Sequence, residues 1–226
     1  MTAPSHTPVS PQASATTGGV RALLDERTAG LPVWVVVTQV FLGLGWLRAA
    51  AEKLISGGWW RGEAIEAFLA EHEAQTLGWY QPFVDLVVAP YAVLVAVVVA
   101  VAQVAVGVSF VRGRFVGFAL AVGVLMNLNF MTAGAVNPSA FYLVIQGTIA
   151  LWLAERTRAG QRAGRALTAT AVAGAGLAAL SVPYISTLHP HGVVEDPAVM
   201  MVMGRALTVV GCGLAHRRVT ATDGLA

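Results

Sequence analysis

Charge is scarce in this chain, at 12% of 226 residues against 56% hydrophobic ones, and mean hydropathy is +0.68. A soluble domain of this size could not keep so apolar a surface in water, so the composition is that of an integral membrane protein. Cysteine is nearly absent. Cys212, alone and inside an apolar segment, leaves no disulfide, CxxC redox pair or thiolate metal site within one chain, and it reads as a small packing residue. Lysine occurs once, at Lys53. Of the five histidines, His6 lies in the N-terminal tail, His72, His189 and His191 between apolar runs, and His216 at the end of the last run. Haem ligation by two histidines across a bundle is therefore not expected. The stretch HPH at 189–191, with Glu195 or Asp196, reads as a solvated loop before it reads as a metal site. No phosphate-cradling glycine loop, G-x-S-x-G elbow or dinucleotide fingerprint is present, which removes support for ATP-driven and hydride-transfer roles.

Six apolar runs approach the ~20 residues that cross a bilayer, near 33–55, 83–111, 115–134, 139–154, 166–186 and 198–215. The fourth is short and opens on Asn137-Pro138, a dipeptide suited to a helix N-cap and first turn. Arginines fall at alternate ends: Arg21 and Arg27, then Arg112 and Arg114, then Arg156, Arg158, Arg162 and Arg165, then Arg217 and Arg218. The opposite loops carry Arg61 with Glu63, Glu66, Glu71, Glu73, Glu195 and Asp196, so the positive-inside rule predicts six spans with both termini cytoplasmic. The formal charge of +2 reports this topology and marks no nucleic-acid surface.

The expected organisation is a disordered tail over 1–30, a four-helix membrane unit over 31–155, a basic loop over 156–165, a helix pair over 166–216 and a short tail over 217–226. Residues 1–19 are rich in Pro, Ser, Thr and Ala and show no removable signal peptide, so the first helix is expected to direct insertion. No internal repeat supports a transporter built from inverted halves. Between the first two runs, Ile65, Phe68 and Leu69 recur at helical spacing among glutamates, with Trp59, Trp60, Trp79 and Tyr80 at the ends. This predicts an amphipathic helix on the outer surface, either an anchored connector or a lid.

The stretch GWLRAAAEKLI, 45–55, places three charges where lipid is expected. Arg48 and Glu52 are four apart and can pair, at about 22 Å along a helix that starts near Val33, and Lys53 flanks their face. At comparable depth the third helix offers Asn127 and Asn129, its outer turn Asn137, the fourth helix Gln146 and the sixth Arg205, the last expected near Glu195 and Asp196. Gln103 is expected deeper, apart from them. Polar groups inside a membrane need partners, so several at one level predict an interior site open to the outer face. There Arg48 and Lys53 would bind an oxyanion or a quinone carbonyl, Glu52 would carry the proton, and Asn127, Asn129 and Asn137 would orient the ligand, with Gln146 and Arg205 among the substrate-binding residues. Interhelical hydrogen bonding is the plain alternative for each amide.

The runs FLGLGWLRAAAEKLISGGWW, WYQPFVDLVVAPYAVLVAVVVAVAQVAVGVSFVRGRFVGF and MNLNFMTAGAVNPSAFYLVIQGTIALWLA carry a family pattern over 33–154. In them the chain resembles the DoxX/DoxD membrane family: Lys53 matches the lysine that closes the first helix, VGVSFVRGRF the second-to-third-helix turn, and NLNFMTAGAVNP the Asn- and Gly-rich end of the third helix. The resemblance implies an all-α, four-helix membrane unit, here followed by two further helices. It also implies the membrane part of a quinone-linked oxidoreductase of the thiosulfate:quinone kind, with quinone as substrate and no haem or metal. Gln103 stands where the family often carries a glutamate, so a proton carried there would lack its group. The alternatives are a non-catalytic anchor or assembly subunit of a redox complex, with a protein partner or a second copy, and a small-molecule permease.

Overall fold

The structure, a computed structural model, describes Arg27 and residues 30–137, 139–156, 160–187 and 195–223, without the side chains of Glu155, 160–164 and 218–223. The expected tail over 1–19 and Arg21, together with Pro138, Arg158, His189 and His191, lies outside the described residues, as does His6. Among the described residues the fold is all-helical, with turns and no strand. Seven helices have ten residues or more: α1 Val33–Leu54, α2 Glu63–His72, α3 Ala92–Arg112, α4 Val116–Thr132, α5 Ser139–Arg156, α6 Gly160–Ser181 and α7 Pro197–Asp223.

The chain divides into two units, Met1–Val37 and Thr38–Ala226. In the first, the Pro32 carbonyl accepts hydrogen bonds from the amides of Val35 and Val36 and so starts α1.

In the second unit, one apolar core joins four helices through Leu42 and Trp46 of α1, Val106 and Phe110 of α3, Ala119, Leu120 and Met126 of α4, and Ile149 of α5. The helices α1 and α3 approach at backbone distance. A Cβ on Gly43 would stand 2.9 Å from the Gly107 carbonyl oxygen and 2.8 Å from the Val111 nitrogen. Small residues at such crossings let helices pack where no hydrophobic difference between lipid and neighbour drives them together. Aromatic edges close the other flank of α1, with Phe41 and Phe141 ring centroids 6.0 Å apart and Trp46 and Tyr142 5.9 Å apart.

The α3–α4 turn follows from its glycine. Gly113, at φ 66°, ends α3; its amide reaches the Phe110 carbonyl while the Arg114 amide reaches back to Ser109, the bond pattern of a Schellman cap. The expected second run, 83–111, is not one helix: a π turn over Val84–Val88 and bends at 89–91 precede α3. Pro90 is the reason, since it donates no amide to the turn before it and its ring crowds that turn. Two boundaries also move. Helix α6 begins at Gly160, inside the expected basic loop, and α7 runs on to Asp223, through most of the expected tail.

Among the described residues four helices are long and apolar enough to cross a membrane, Val33–Leu54, Ala92–Arg112, Arg165–Tyr184 and Pro197–Arg217, as in a multi-pass membrane protein. Val116–Thr132 and Ser139–Ala154 are apolar but shorter. At 17 residues α4 covers about 25 Å of a hydrocarbon core near 30 Å. Helices α6 and α7 form a hairpin packed through Leu167, Cys212 and Ala215, with Leu151 and Ala154 of α5 against it. Met201 of α7 joins Met131, Val136 and Ala140 in a further cluster.

Candidate functional site

The three charges of 45–55 do not act as one group. Arg48 and Glu52 form the expected pair, with Arg48 Nε donating to Glu52 Oε1 at 3.1 Å. Their side chains are 83% and 61% exposed, on the same outward stripe as Phe41, Leu44 and Ile55. Lys53 turns elsewhere: its Nζ donates to the Ala49 carbonyl at 3.3 Å and lies 4.8 Å from the Trp59 ring centroid. Trp59 is itself fixed, since its indole N–H donates to the Ala96 carbonyl of α3 at 2.9 Å. Lys53 thus joins the α1 terminus to an anchored tryptophan, while the ion pair faces away from the core.

The amides divide as well. Asn127 and Gln146 meet in the interior, Asn127 Nδ2 donating to Gln146 Oε1 at 3.1 Å, with both residues buried. Gly123 makes room for Gln146, because a Cβ there would strike Gln146 Nε2 and stand 3.5 Å from a Val106 methyl. Gln103, one turn from Val106 on α3, is buried too. Gln103 Oε1 and Gln146 Nε2 are both buried without a hydrogen-bond partner among the described residues. Gln39 of α1 is also buried, so α1, α3, α4 and α5 each place an amide in the interior.

These amides differ in what their loss should cost. Gln146→Leu strands the Asn127 donor and should lose about 1–3 kcal/mol, whereas Gln103→Leu removes a group already unpaired and should be neutral or stabilising. Thermal unfolding of the two variants in detergent checks the contrast; equal losses would show that Gln103 has a partner.

Asn129 is a fastener. It accepts a hydrogen bond from the Tyr80 hydroxyl and donates to the Leu125 carbonyl at 2.7 Å. Burial pushes the Tyr80 phenol up to about 12, only partly offset by the Thr132 hydroxyl, so Tyr80 stays a donor at neutral pH. Beside it the Leu77 amide donates to the Thr132 carbonyl at 2.9 Å. Gly134, at φ 99°, lets the chain pass against His72 and Gln75, where a Cβ would stand 3.0 Å from each side chain. The expected amphipathic helix is present as α2, with Ile65 buried, half-buried Phe68 and Leu69, and exposed Glu63, Glu66 and Glu71. Trp59 at one end and Leu77 and Tyr80 at the other hold this segment to α3 and α4, which is the geometry of a connector and not of a swinging lid. Asn137 is exposed beyond α4.

Arg205 and Asp196 are not partners. Asp196 is the N-cap of α7: Oδ1 accepts from the Ala198 and Val199 amides at 2.8 and 3.1 Å, and Oδ2 from the Ser186 amide and hydroxyl at 2.8 and 2.6 Å and the Thr187 amide at 3.2 Å. Burial alone would raise its pKa, but the Ser186 hydroxyl and the amides of Ser186, Val199 and Thr187 outweigh it and hold the carboxyl below its ordinary value. Arg205, nine residues on, is 8% exposed with its Nε unpartnered among the described residues.

A cavity of about 490 Å³ opens elsewhere, between Glu66 of α2 and Pro90, Tyr91, Val93, Leu94 and Val97 at the start of α3. Neither the ion pair nor the amide layer lines it. The sequence reading missed the fastening roles of Trp59 and Tyr80, although it marked both as aromatics of the membrane boundary. Compared with known proteins, the chain matches no family model, no curated protein and no solved structure.

Proposed function

We propose that this chain is a non-catalytic membrane subunit that assembles a redox complex, spanning a bacterial plasma membrane six times with both termini cytoplasmic. The arginine distribution and the DoxX/DoxD-like motifs support that setting, with the shorter α4 and α5 as the third and fourth spans. The observation that carries the assembly role is the exposure of Arg48–Glu52 on an apolar stripe of α1. Near the membrane centre a charge costs about 2.5–3.5 kcal/mol, less toward the interface, and in membranes charges mostly face protein or water. A partner helix carrying complementary polar groups would cover this pair. The amide layer inside the bundle serves cohesion through the Asn127–Gln146 hydrogen bond that joins α4 to α5.

A quinone-binding role is the second reading, favoured by the same exposure. A quinone travels in the lipid, and an ion pair open to lipid could meet its carbonyl there, with Glu52 passing the proton.

Photo-crosslinking from position 44, on the Arg48 stripe, distinguishes the two in membranes of the native host. The assembly role predicts a discrete cross-linked complex that is lost on Arg48→Ala/Glu52→Ala. Cross-links to lipid alone, together with thiosulfate-dependent quinone reduction that the double substitution abolishes, would overturn it in favour of catalysis.

A further inference from the structure

The hairpin α6–α7 holds a cation that nothing in the reading above uses. Arg205 lies on the buried face of α7, in line with Ala198, Met201, Cys212 and Ala215. No hydrogen bond or ion pair reaches its guanidinium among the described residues, and its Nε is fully enclosed. A buried guanidinium has five N–H donors and no means of discharging, so it needs acceptors.

The space opposite is open. On α5, Ala140 and Leu143 pack in the Met201 cluster, and Leu151 and Ala154 in the Cys212 cluster. Gly147 continues that stripe, four residues from Leu143 and four from Leu151, and so faces α7. Helices α5 and α7 run in the same direction, with Met201 near the Leu143 level and Gly211 against Leu151, where a Cβ would be 3.1 Å from Leu151 Cδ1. This register sets Arg205 opposite Gly147. A Cβ on Gly147 would meet nothing within 4 Å. From the third side α6 presents Gly174, whose Cβ would stand 3.8 Å from Arg205 Cδ, so the arginine stem lies along a second glycine. The Arg205 stem thus runs along Gly174 of α6, and the facing stripe of α5 leaves a gap at half-buried Gly147.

We infer that this gap binds a small oxyanion, a carboxylate or inorganic oxyanion whose oxygens accept from the Arg205 guanidinium. Arg205 is eight residues from the α7 start, about 12 Å along the helix. That depth suits a small diffusible anion better than a lipid headgroup at the membrane surface. The Arg205 fork matches two oxygens of such an ion, which a halide lacks. This site stands apart from the Arg48–Glu52 face, so either can fail without the other.

The test is thermal unfolding of the purified full-length protein in detergent, titrated with sodium acetate, sulfate or thiosulfate against sodium chloride at matched ionic strength. At least one oxyanion should raise the midpoint saturably. Arg205→Gln should weaken that response at least tenfold. Gly147→Leu, which fills the gap and leaves the charge in place, should weaken it equally while the unliganded protein still folds; it decides the question if Arg205→Gln does not fold. Absence of a saturable shift with all three anions would overturn the site, and so would a shift undiminished by Gly147→Leu. A midpoint that rises with protein concentration and no added anion would assign Arg205 to a carboxylate of a second chain, overturning it too.

Discussion

Gly43→Leu should cost about 3 kcal/mol or more and separate α1 from α3. The limiting contacts are backbone atoms: the Gly107 oxygen at 2.9 Å and the Val111 nitrogen at 2.8 Å from a Cβ at that site, with a Val111 methyl at 2.6 Å. Backbone cannot rotate aside, so even Gly43→Ala should cost about 1–2 kcal/mol. Gly45 is a useful contrast, because its Cβ would strike the Tyr142 hydroxyl, the free end of a side chain that can move. Gly117 is the control: a Cβ there meets nothing, and Gly117→Ala within α4 should be neutral or stabilising by up to about 1 kcal/mol. Unfolding by denaturing detergent ranks the three variants. A mild loss for Gly43→Leu would show that the two helices do not cross at backbone contact.

Helix content and apolar composition were legible in the sequence because they are local, whereas the direction in which polar groups face was not. On a soluble helix the polar face shows itself by period, but α1 is apolar toward lipid and core alike, so Leu42 and Leu44 look the same though one is buried and the other exposed. The pairing of Arg48 with Glu52 followed from their spacing; that the pair looks outward depended on Trp46 and Leu42 filling the core side. Asn127 and Asn129 illustrate the same limit. Two positions apart on one helix, they diverge, one to Gln146 and one to Tyr80, because successive residues turn about 100°. The break before α3 did have a signal in Pro90, overridden in the sequence reading by the apolar residues around it. The gap at Gly147 had none, since a glycine in an apolar helix gives no sign of whether a neighbour fills its space.

Asp196→Ala should cost about 3 kcal/mol, above the usual loss of about 0.5–2 for a helix N-cap. The carboxylate does two jobs: Oδ1 caps the first turn of α7, and Oδ2 gathers the Ser186 amide and hydroxyl and the Thr187 amide from the segment that follows α6. Removing it strands the buried Ala198 and Val199 amides and releases the exposed Ser186 and half-buried Thr187 groups, and hydrogen bonds to a charged acceptor are worth more than neutral ones. The pH dependence follows from the lowered pKa. A carboxyl held below its unfolded value, about 4, contributes its stabilisation fully above that value. The contribution falls away as pH drops through the lower folded pKa, when the carboxylate takes up a proton. The hairpin should therefore be insensitive to pH from about 5 to 7 on this account and should weaken progressively below about 4. Asp196→Asn keeps one acceptor oxygen but no charge or proton uptake, so it should sit between wild type and Asp196→Ala at neutral pH and lack this acid limb. Unfolding midpoints of the three proteins between pH 3 and 7 measure both effects. Parallel curves would show that Asp196 bears no part of the acid sensitivity and that the cap acts through shape alone.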